Sequence, residues 1–331
     1  MLVGVDDTVN LSTITDLSPL AQLEQVSTLY VSNNGLLSSL AGLEHIDTVG
    51  YIYVYHNPAL TSLSGLSGLN YAYSCSIRRD DELSDLTGLN NLVQTEGLYI
   101  DKNKNLVSLN GLDKFRDGYT YGIYITNNPK LKSLSGMGAL QEFNTFTAVG
   151  IGIYNNDSLE QIGPFPKLGR VFFSIKDNKS LKGFSGLNNA DFSYFRAYVG
   201  NNDQFSTFQG LGEVKEGVVG VENNAILQTV NLQDSMLYGN FGVAGPAITS
   251  VQFPKTRNVH QLLVRDCPKL RTLENFLPNV DSVDYKIEVW NNDSLQTIHE
   301  DFGPRYVWDF YVHDNKRLEN ITGFEGMEET G

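Results

Sequence analysis

Tyrosines recur at a set distance from a repeated asparagine. Four residues before Asn34, Asn57, Asn103 and Asn128 stand Tyr30, Tyr53, Tyr99 and Tyr124. The same position in other repeats holds Ser76, Gly152, Ser174, Tyr198, Gly220, Leu263, Glu288 and Tyr311. Two residues before the asparagine column stand Ser32, Tyr55, Arg78, Asp101, Thr126, Tyr154, Lys176, Gly200, Glu222, Arg265, Trp290 and His313. Tyr and Trp supply large contact area at low conformational cost, so an outward face rich in them suits ligand recognition. Charged residues among them would orient the ligand. The candidate binding set is Tyr30, Tyr53, Tyr55, Arg78, Tyr99, Asp101, Tyr124, Tyr154, Trp290, Tyr311 and His313. The competing reading is that aromatic residues suit strands and stack on cross-strand neighbours for packing alone.

Catalytic chemistry has thinner support. Asp101 is the one strand-face carboxylate among the N-terminal aromatics, with Arg78 one repeat away. A polysaccharide lyase or hydrolase would use such groups, but an Asp beside an Arg is more often an ion pair. The five histidines, His45, His56, His260, His299 and His313, show no HExxH or paired metal spacing, and no GxSxG, P-loop or GxGxxG stretch occurs. Asp157, Asp177, Asp203, Asp293 and Asp314 flank the asparagine column, where turn chemistry accounts for them more simply than Ca²⁺. A hydroxyl column five residues after the asparagine (Ser39, Ser62, Ser108, Ser133, Thr207, Thr229, Ser250, Thr272, Thr297) suits a tight bend. A regular hydroxyl array would also suit ice or a repetitive polysaccharide, but Asp85, Gln161, Gly183 and Asn320 interrupt it. No enzyme activity, cofactor or resident metal is expected.

The elements that position these columns follow from the repeat. The asparagine column runs through Asn34, Asn57, Asp80, Asn103, Asn128, Asn156, Asn178, Asn202, Asn224, Gly245, Cys267, Asn292 and Asn315, at steps of 21 to 25 residues with one of 28. With a degenerate first turn at Thr8, about fourteen turns are expected. Apolar residues precede the asparagine by five and three, as in Leu29/Val31 and Leu98/Ile100; this is the period of a strand with one face buried. Three more follow at spacings of three, as in Leu60/Leu63/Leu66, which suits a bend or a short 3₁₀ piece. A glycine at the corner (Gly42, Gly65, Gly88, Gly111, Gly136, Gly186, Gly210) marks positive φ or a close backbone approach. One turn cannot bury its own apolar side chains, but stacked turns share a continuous core. The expected fold is therefore mainly β, a right-handed parallel β-solenoid, with the asparagine turned inward onto backbone groups.

The pattern Leu-x-Ile-x-x-Asn-x-x-Leu resembles leucine-rich repeats. Ile14 to Leu20 followed by Leu29 to Asn34 resembles the internalin class, and Gly122 to Pro129 with Leu131 to Leu134 resembles receptor L-domains. That resemblance implies an extracellular or cell-surface recognition surface and a right-handed single-stranded β-helix. It names no ligand: protein and glycan both remain open.

Composition narrows the class. At 331 residues the length alone suggests two domains, but a solenoid grows in one dimension, so a single domain over 1–331 is expected. Within it, 1–30 would form the first turn or cap, 231–250 an irregular turn, and 316–331 a C-terminal end cut from a longer protein. The net charge of −14 argues against nucleic acid and anionic membrane as general partners. Nothing approaches 18 consecutive apolar residues, the N-terminus does not read as a signal peptide, and a monomer is expected. Cys75 falls in a strand column and Cys267 in the asparagine column, both pointing into the core and too far apart in the repeat to bond. Among the sequons, Asn156, Asn178 and Asn292 belong to the inward column, leaving Asn10 and Asn320 open to glycans. Two long repeats place extra residues near Lys114–Tyr121 and Leu140–Gly150, where insertions form loops at one edge. The competing functions are a polysaccharide-acting enzyme and a surface or matrix spacer.

Overall fold

The computed structural model describes residues 1–4, 11–141, 148–208, 211–232, 236–301, 303–325 and 327. It is a nearly all-β parallel solenoid of about 12 turns, somewhat fewer than the asparagine column suggests. Thr8, the expected first turn, lies outside the described residues, as do Asn10 and Gly210. Contacts divide the chain into two compact units, Met1–Ser174 and Ile175–Gly331.

In unit 1 the main strands pair in chain order. They are β1 (Leu2–Gly4), β2 (Gln25–Ser32), β3 (Thr48–Tyr55), β4 (Tyr71–Arg78), β5 (Gln94–Asp101), β6 (Asp117–Thr126) and β7 (Val149–Tyr154). Pairing is parallel and the register holds turn after turn: Tyr30, Tyr53, Ser76, Tyr99, Tyr124 and Gly152 are successive partners. β8 (Arg170–Lys176) lies across the division point in the chain.

Unit 2 follows the same plan with more interruptions. Its strands are β9 (Leu187–Phe192), β10 (Tyr194–Gly200), β11 (Leu211–Glu222), β12 (Thr229–Asn231), β13 (Met236–Ala244), β14 (Ser250–Gln252), β15 (Asn258–Arg265), β16 (Thr272–Glu274), β17 (Ser282–Trp290), β18 (Thr297–His299), β19 (Tyr306–His313) and β20 (Asn320–Thr322). The order β10-β11-β13-β15-β17-β19 makes its main sheet; β12-β14 and β16-β18-β20 make small sheets on a second side. The small sheets carry the hydroxyl column, with Thr229 opposite Ser250 and Thr272 opposite Thr297. In unit 1 the hydroxyls serve bends, where Ser62 accepts from Ser64 N at 3.1 Å. The expected 3₁₀ pieces appear as single turns at Ser18–Leu20, Ser64–Leu66 and Ser135–Met137.

The core is the inward side of this stack. Leu29, Val31, Ile52, Val54, Leu98 and Ile100 are fully buried, as are the post-asparagine residues Leu60, Leu63 and Leu66. The corner glycines serve close approach: Gly88 has φ +121°, and a Cβ on Gly65 would lie 1.6 Å from the Leu40 carbonyl oxygen. Cys75 and Cys267 are buried free thiols, and burial pushes both up to about 12.

The asparagine column forms a hydrogen-bonded ladder inside each unit. Asn34 N donates to Asn57 Oδ1 at 3.1 Å, Asn103 N to Asn128 Oδ1 at 3.1 Å, and Asn128 N to Asn156 Oδ1 at 3.0 Å. Each amide nitrogen reaches back a turn: Asn57 Nδ2 to Val31 O at 3.0 Å, Asn103 Nδ2 to Ile77 O at 3.0 Å. Unit 2 repeats this with Asn202 N on Asn224 Oδ1 at 3.1 Å and Asn292 N on Asn315 Oδ1 at 3.0 Å. Each rung thus satisfies backbone groups that would otherwise be buried unpaired, at about 1–3 kcal/mol apiece. Asn156, Asn178 and Asn292 are fully buried in it, and Asn320 is exposed.

Two rungs depart from the pattern. Asp80 accepts from Asn57 N at 2.8 Å and Asn57 Nδ2 at 3.0 Å, but its other oxygen is buried without a partner. Burial pushes its carboxyl up to about 7; the protonated acid restores a donor there, mimicking asparagine. The second departure is the turn closed by Gly245. Val243 and Ala244 pair in register with Val264 and Arg265, and Ile248 N bonds Gly245 O at 3.5 Å. Elsewhere a residue with positive φ separates the strand from the ladder rung, as Asn223 and Asp266 do on either side. Here that residue is absent, which is why the 231–250 stretch fits the repeat poorly as a sequence.

Candidate functional site

On unit 1 the tyrosine column stands outward as two stacked pairs of rings, with Ser76 between them. Tyr30 and Tyr53 stack at 4.7 Å between centroids and 9° between planes; Tyr99 and Tyr124 stack at 5.5 Å and 7°. Each pair comes from adjacent parallel strands in register, which brings their rings into contact. Tyr154 leans over a glycine: a Cβ on Gly152 would lie 2.9 Å from the Tyr154 ring and 2.9 Å from the Tyr124 ring. The missing side chain gives both rings a bed on the sheet. Tyr30 and Tyr124 remain 42% and 39% exposed, so the rings are surface, not core.

Three further tyrosines complete the patch. Tyr51 lies 6.3 Å from Tyr53 and 5.2 Å from Tyr73, and Tyr73 lies 5.8 Å from Tyr121. The Tyr73 and Tyr121 hydroxyls are hydrogen-bonded at 3.0 Å, and that bond above all pushes Tyr73 up to about 12. Sequence reasoning missed these rings because it began each strand five residues before the asparagine, whereas β3 and β4 begin earlier. The alternation Tyr51, Tyr53, Tyr55 was the available signal. Tyr121 belongs to the Lys114–Tyr121 insertion, which extends β6 instead of forming a loop. Residues 142–147 of the second insertion lie outside the described residues.

Asp101 is a saturated structural carboxylate. Its Oδ1 accepts from Thr126 Oγ1 at 2.7 Å and Asn127 Nδ2 at 2.8 Å; its Oδ2 accepts from Arg78 Nη2 at 2.9 Å and Nε at 3.2 Å. Burial favours its neutral form, but these hydrogen bonds and the Arg78 charge outweigh it and hold the carboxyl below its usual range. Tyr55, in the same column, accepts a hydrogen bond from Arg79 Nη1 at 3.0 Å and lies under its guanidinium, 5.6 Å from the ring centroid.

On unit 2 the predicted residues gather on β17 and β19. Trp290 and His313 stack at 6.0 Å and 16°, and Arg265 lies 5.8 Å over the Trp290 ring. His313 is raised by its hydrogen bond to Asp314, at 2.9 Å, with Glu288 adding to the shift from 3.6 Å. Tyr311 is 49% exposed. His260 and Tyr285 form a further stacked pair, at 5.4 Å, that sequence reasoning did not identify. Toward β10, by contrast, the outward columns lose their side chains: Tyr198, Gly220, Gly242 and Leu263 are successive partners. With Gly200 and Ala244 beside them, they floor a trough of about 220 Å³ flanked by Lys176, Glu222 and Arg265.

No group of side chains suited to hold a metal ion occurs among the described residues. Comparison with protein-family models and with curated proteins returns no match.

Proposed function

We propose that the chain is a non-enzymatic recognition module, acting outside the cell or at its surface, that binds a protein or glycan ligand on the tyrosine face of unit 1. The observation that carries this reading is the array of outward rings between Tyr30 and Tyr154, with Tyr30 stacked on Tyr53 and Tyr99 on Tyr124 by in-register strands and partly open to solvent. A rigid aromatic surface offers contact area whose ordering cost has been met before the ligand arrives. The asparagine ladder and buried leucine columns support kinship of form with leucine-rich repeats and receptor L-domains, whose use is recognition. Asp101 favours binding over catalysis, since all of its strong acceptor positions are taken and a general base needs a free one.

The test is a glycan array and a cell-surface protein pull-down with the full chain, followed by affinity measurement on Tyr53→Ala combined with Tyr99→Ala. The double variant should lose at least about tenfold in affinity while keeping its fold. Unchanged affinity would identify the strand face as the wrong surface. Turnover of a polyuronide that disappears in Asp101→Asn would make the protein an enzyme instead.

A further inference from the structure

The residue just before each ladder asparagine leaves the strand with φ near +55°, as at Asn33, Asn127, Asn155, Asn201 and Asn223. That left-handed conformation crowds an ordinary side chain, and Asn, Asp and His tolerate it best. Among the described residues, Arg79 and Lys102 are the two positive-φ side chains other than glycine that belong to none of these types. They occupy adjacent turns, and the turn before them holds His56. Their backbones are stacked: His56 N bonds Arg78 O at 2.9 Å, Arg79 N bonds Asp101 O at 3.0 Å, and Lys102 N bonds Thr126 O at 3.1 Å.

These three side chains, with Lys104, Asp81, Asn127 and Pro129, line a cavity of about 400 Å³ at the edge of unit 1. Its single carboxylate, Asp81, is paired with Lys104. Among the described residues, the carboxylate that Lys102 approaches is Asp101, at 4.0 Å, already filled by Arg78. Arg79 gives one N–H to Tyr55 and keeps further donors facing solvent. In a chain of net charge −14, two adjacent cations, Arg79 and Lys102, held in strained backbone beside a cavity have no role in the ladder. Strain of this kind is retained where the site uses it.

We propose that His56, Arg79, Lys102 and Lys104 form a binding ledge for an acidic polysaccharide, one bearing carboxylate or sulfate on its sugar rings. Successive turns present His56, Arg79 and Lys102 one after another, a nitrogen-bearing side chain every ~4.8 Å along the stack. A pyranose ring is close to one such step in length, so consecutive acidic sugars meet consecutive turns. An extended acidic peptide presents same-side groups every ~6.7 Å and falls out of step after one residue. Tyr55, under the Arg79 guanidinium, offers a ring face for a sugar at the same edge. The ledge is distinct from the Tyr30–Tyr154 rings and stands whether or not those rings bind anything.

The experiment is calorimetric titration of the full chain, at low and at physiological salt, with polygalacturonate oligomers, a sulfated dextran, a neutral xylan oligomer, polyglutamate and oligothymidylate. Either acidic saccharide should bind, tightening about tenfold or more on lowering the salt, and the neutral oligomer should not. The variant carrying His56→Asn, Arg79→Asn and Lys102→Asn installs the residue that other turns use. It should melt a few degrees higher, because the strain is relieved, and bind the acidic saccharide at least tenfold more weakly. Lys215→Gln, a cation of unit 2 paired with Asp191, should leave binding unchanged. Equal binding by the triple variant, equal or tighter binding of polyglutamate or oligothymidylate, or no binding of either acidic saccharide overturns the proposal.

Discussion

Unit 1 and unit 2 share one internal frame and present different outward faces. In both, an inward rung donates its backbone N–H to the next rung and its side-chain amide to a strand carbonyl. In unit 1 the outward columns carry stacked tyrosines, and the edge column runs through His56 to the cations Arg79 and Lys102. In unit 2 the same edge positions are Asp177, Asn201, Asn223, Asp266, Asn291 and Asp314. Its outward columns empty into Gly200, Gly220, Gly242 and Ala244 before refilling at Trp290 and His313. Inward positions are bound by backbone hydrogen-bonding needs and by shape, so they repeat. Outward positions are released from both and vary, which is where recognition can be built without cost to the fold.

The largest expected effect tests the common frame. Asn103→Ala and Asn202→Ala each strand a backbone N–H and a carbonyl in the core, and each should cost about 3 kcal/mol by urea denaturation. A rung in one unit that proves nearly free would break the equivalence. Next comes the exception within the frame. Asp80 is neutral when folded up to about pH 7 but ionises near 3.8 when unfolded. Its stabilising contribution is therefore fully present below 3.8 and lost as pH rises through 7. Asp80→Asn should flatten that stretch of the stability profile and add ~2 kcal/mol at pH 8. Unit 2 has a counterpart in Glu300, fully buried and raised by burial to about 7, so part of the slope should survive in the variant. A profile with no slope at all between pH 4 and 7 in the parent protein would contradict both assignments.

Smaller effects separate the two faces. Tyr53→Ala should lower stability by about 1 kcal/mol through loss of its stack on Tyr30. Tyr198→Ala, whose in-register neighbour on β11 is Gly220 where Tyr30 faces Tyr53, should cost less; equal losses would show that stacking adds nothing to unit 1. The smallest change is Lys104→Ala. Its ion pair with Asp81 is exposed, so melting should move by no more than a degree or so.

The solenoid was legible from the period, because each rung contacts only its neighbours and the sequence repeats what each contact requires. Leu29, Val31 and Asn57 were placed correctly by spacing alone. Tyr51, Tyr73 and Tyr121 were not, since their contacts depend on where a strand begins and on shifted register between Thr95 and Gly97. Asp101 read as a possible catalytic group until its four hydrogen bonds, from three residues on the two neighbouring turns, were in place. The basic edge was hidden by the overall charge: a net −14 is a sum, and two cations one turn apart, Arg79 and Lys102, vanish in it.

The amino-acid sequence by itself determined the inward half of this protein: the ladder, the strand leucines, the buried thiols and the corner glycines. These follow from nearest-neighbour rules that every turn obeys. Only the tertiary structure decided the outward half, because ring stacking and carboxylate saturation arise between residues as far as 23 to 48 positions apart. Their geometry is set by the stacking of turns and is not written in any one of them.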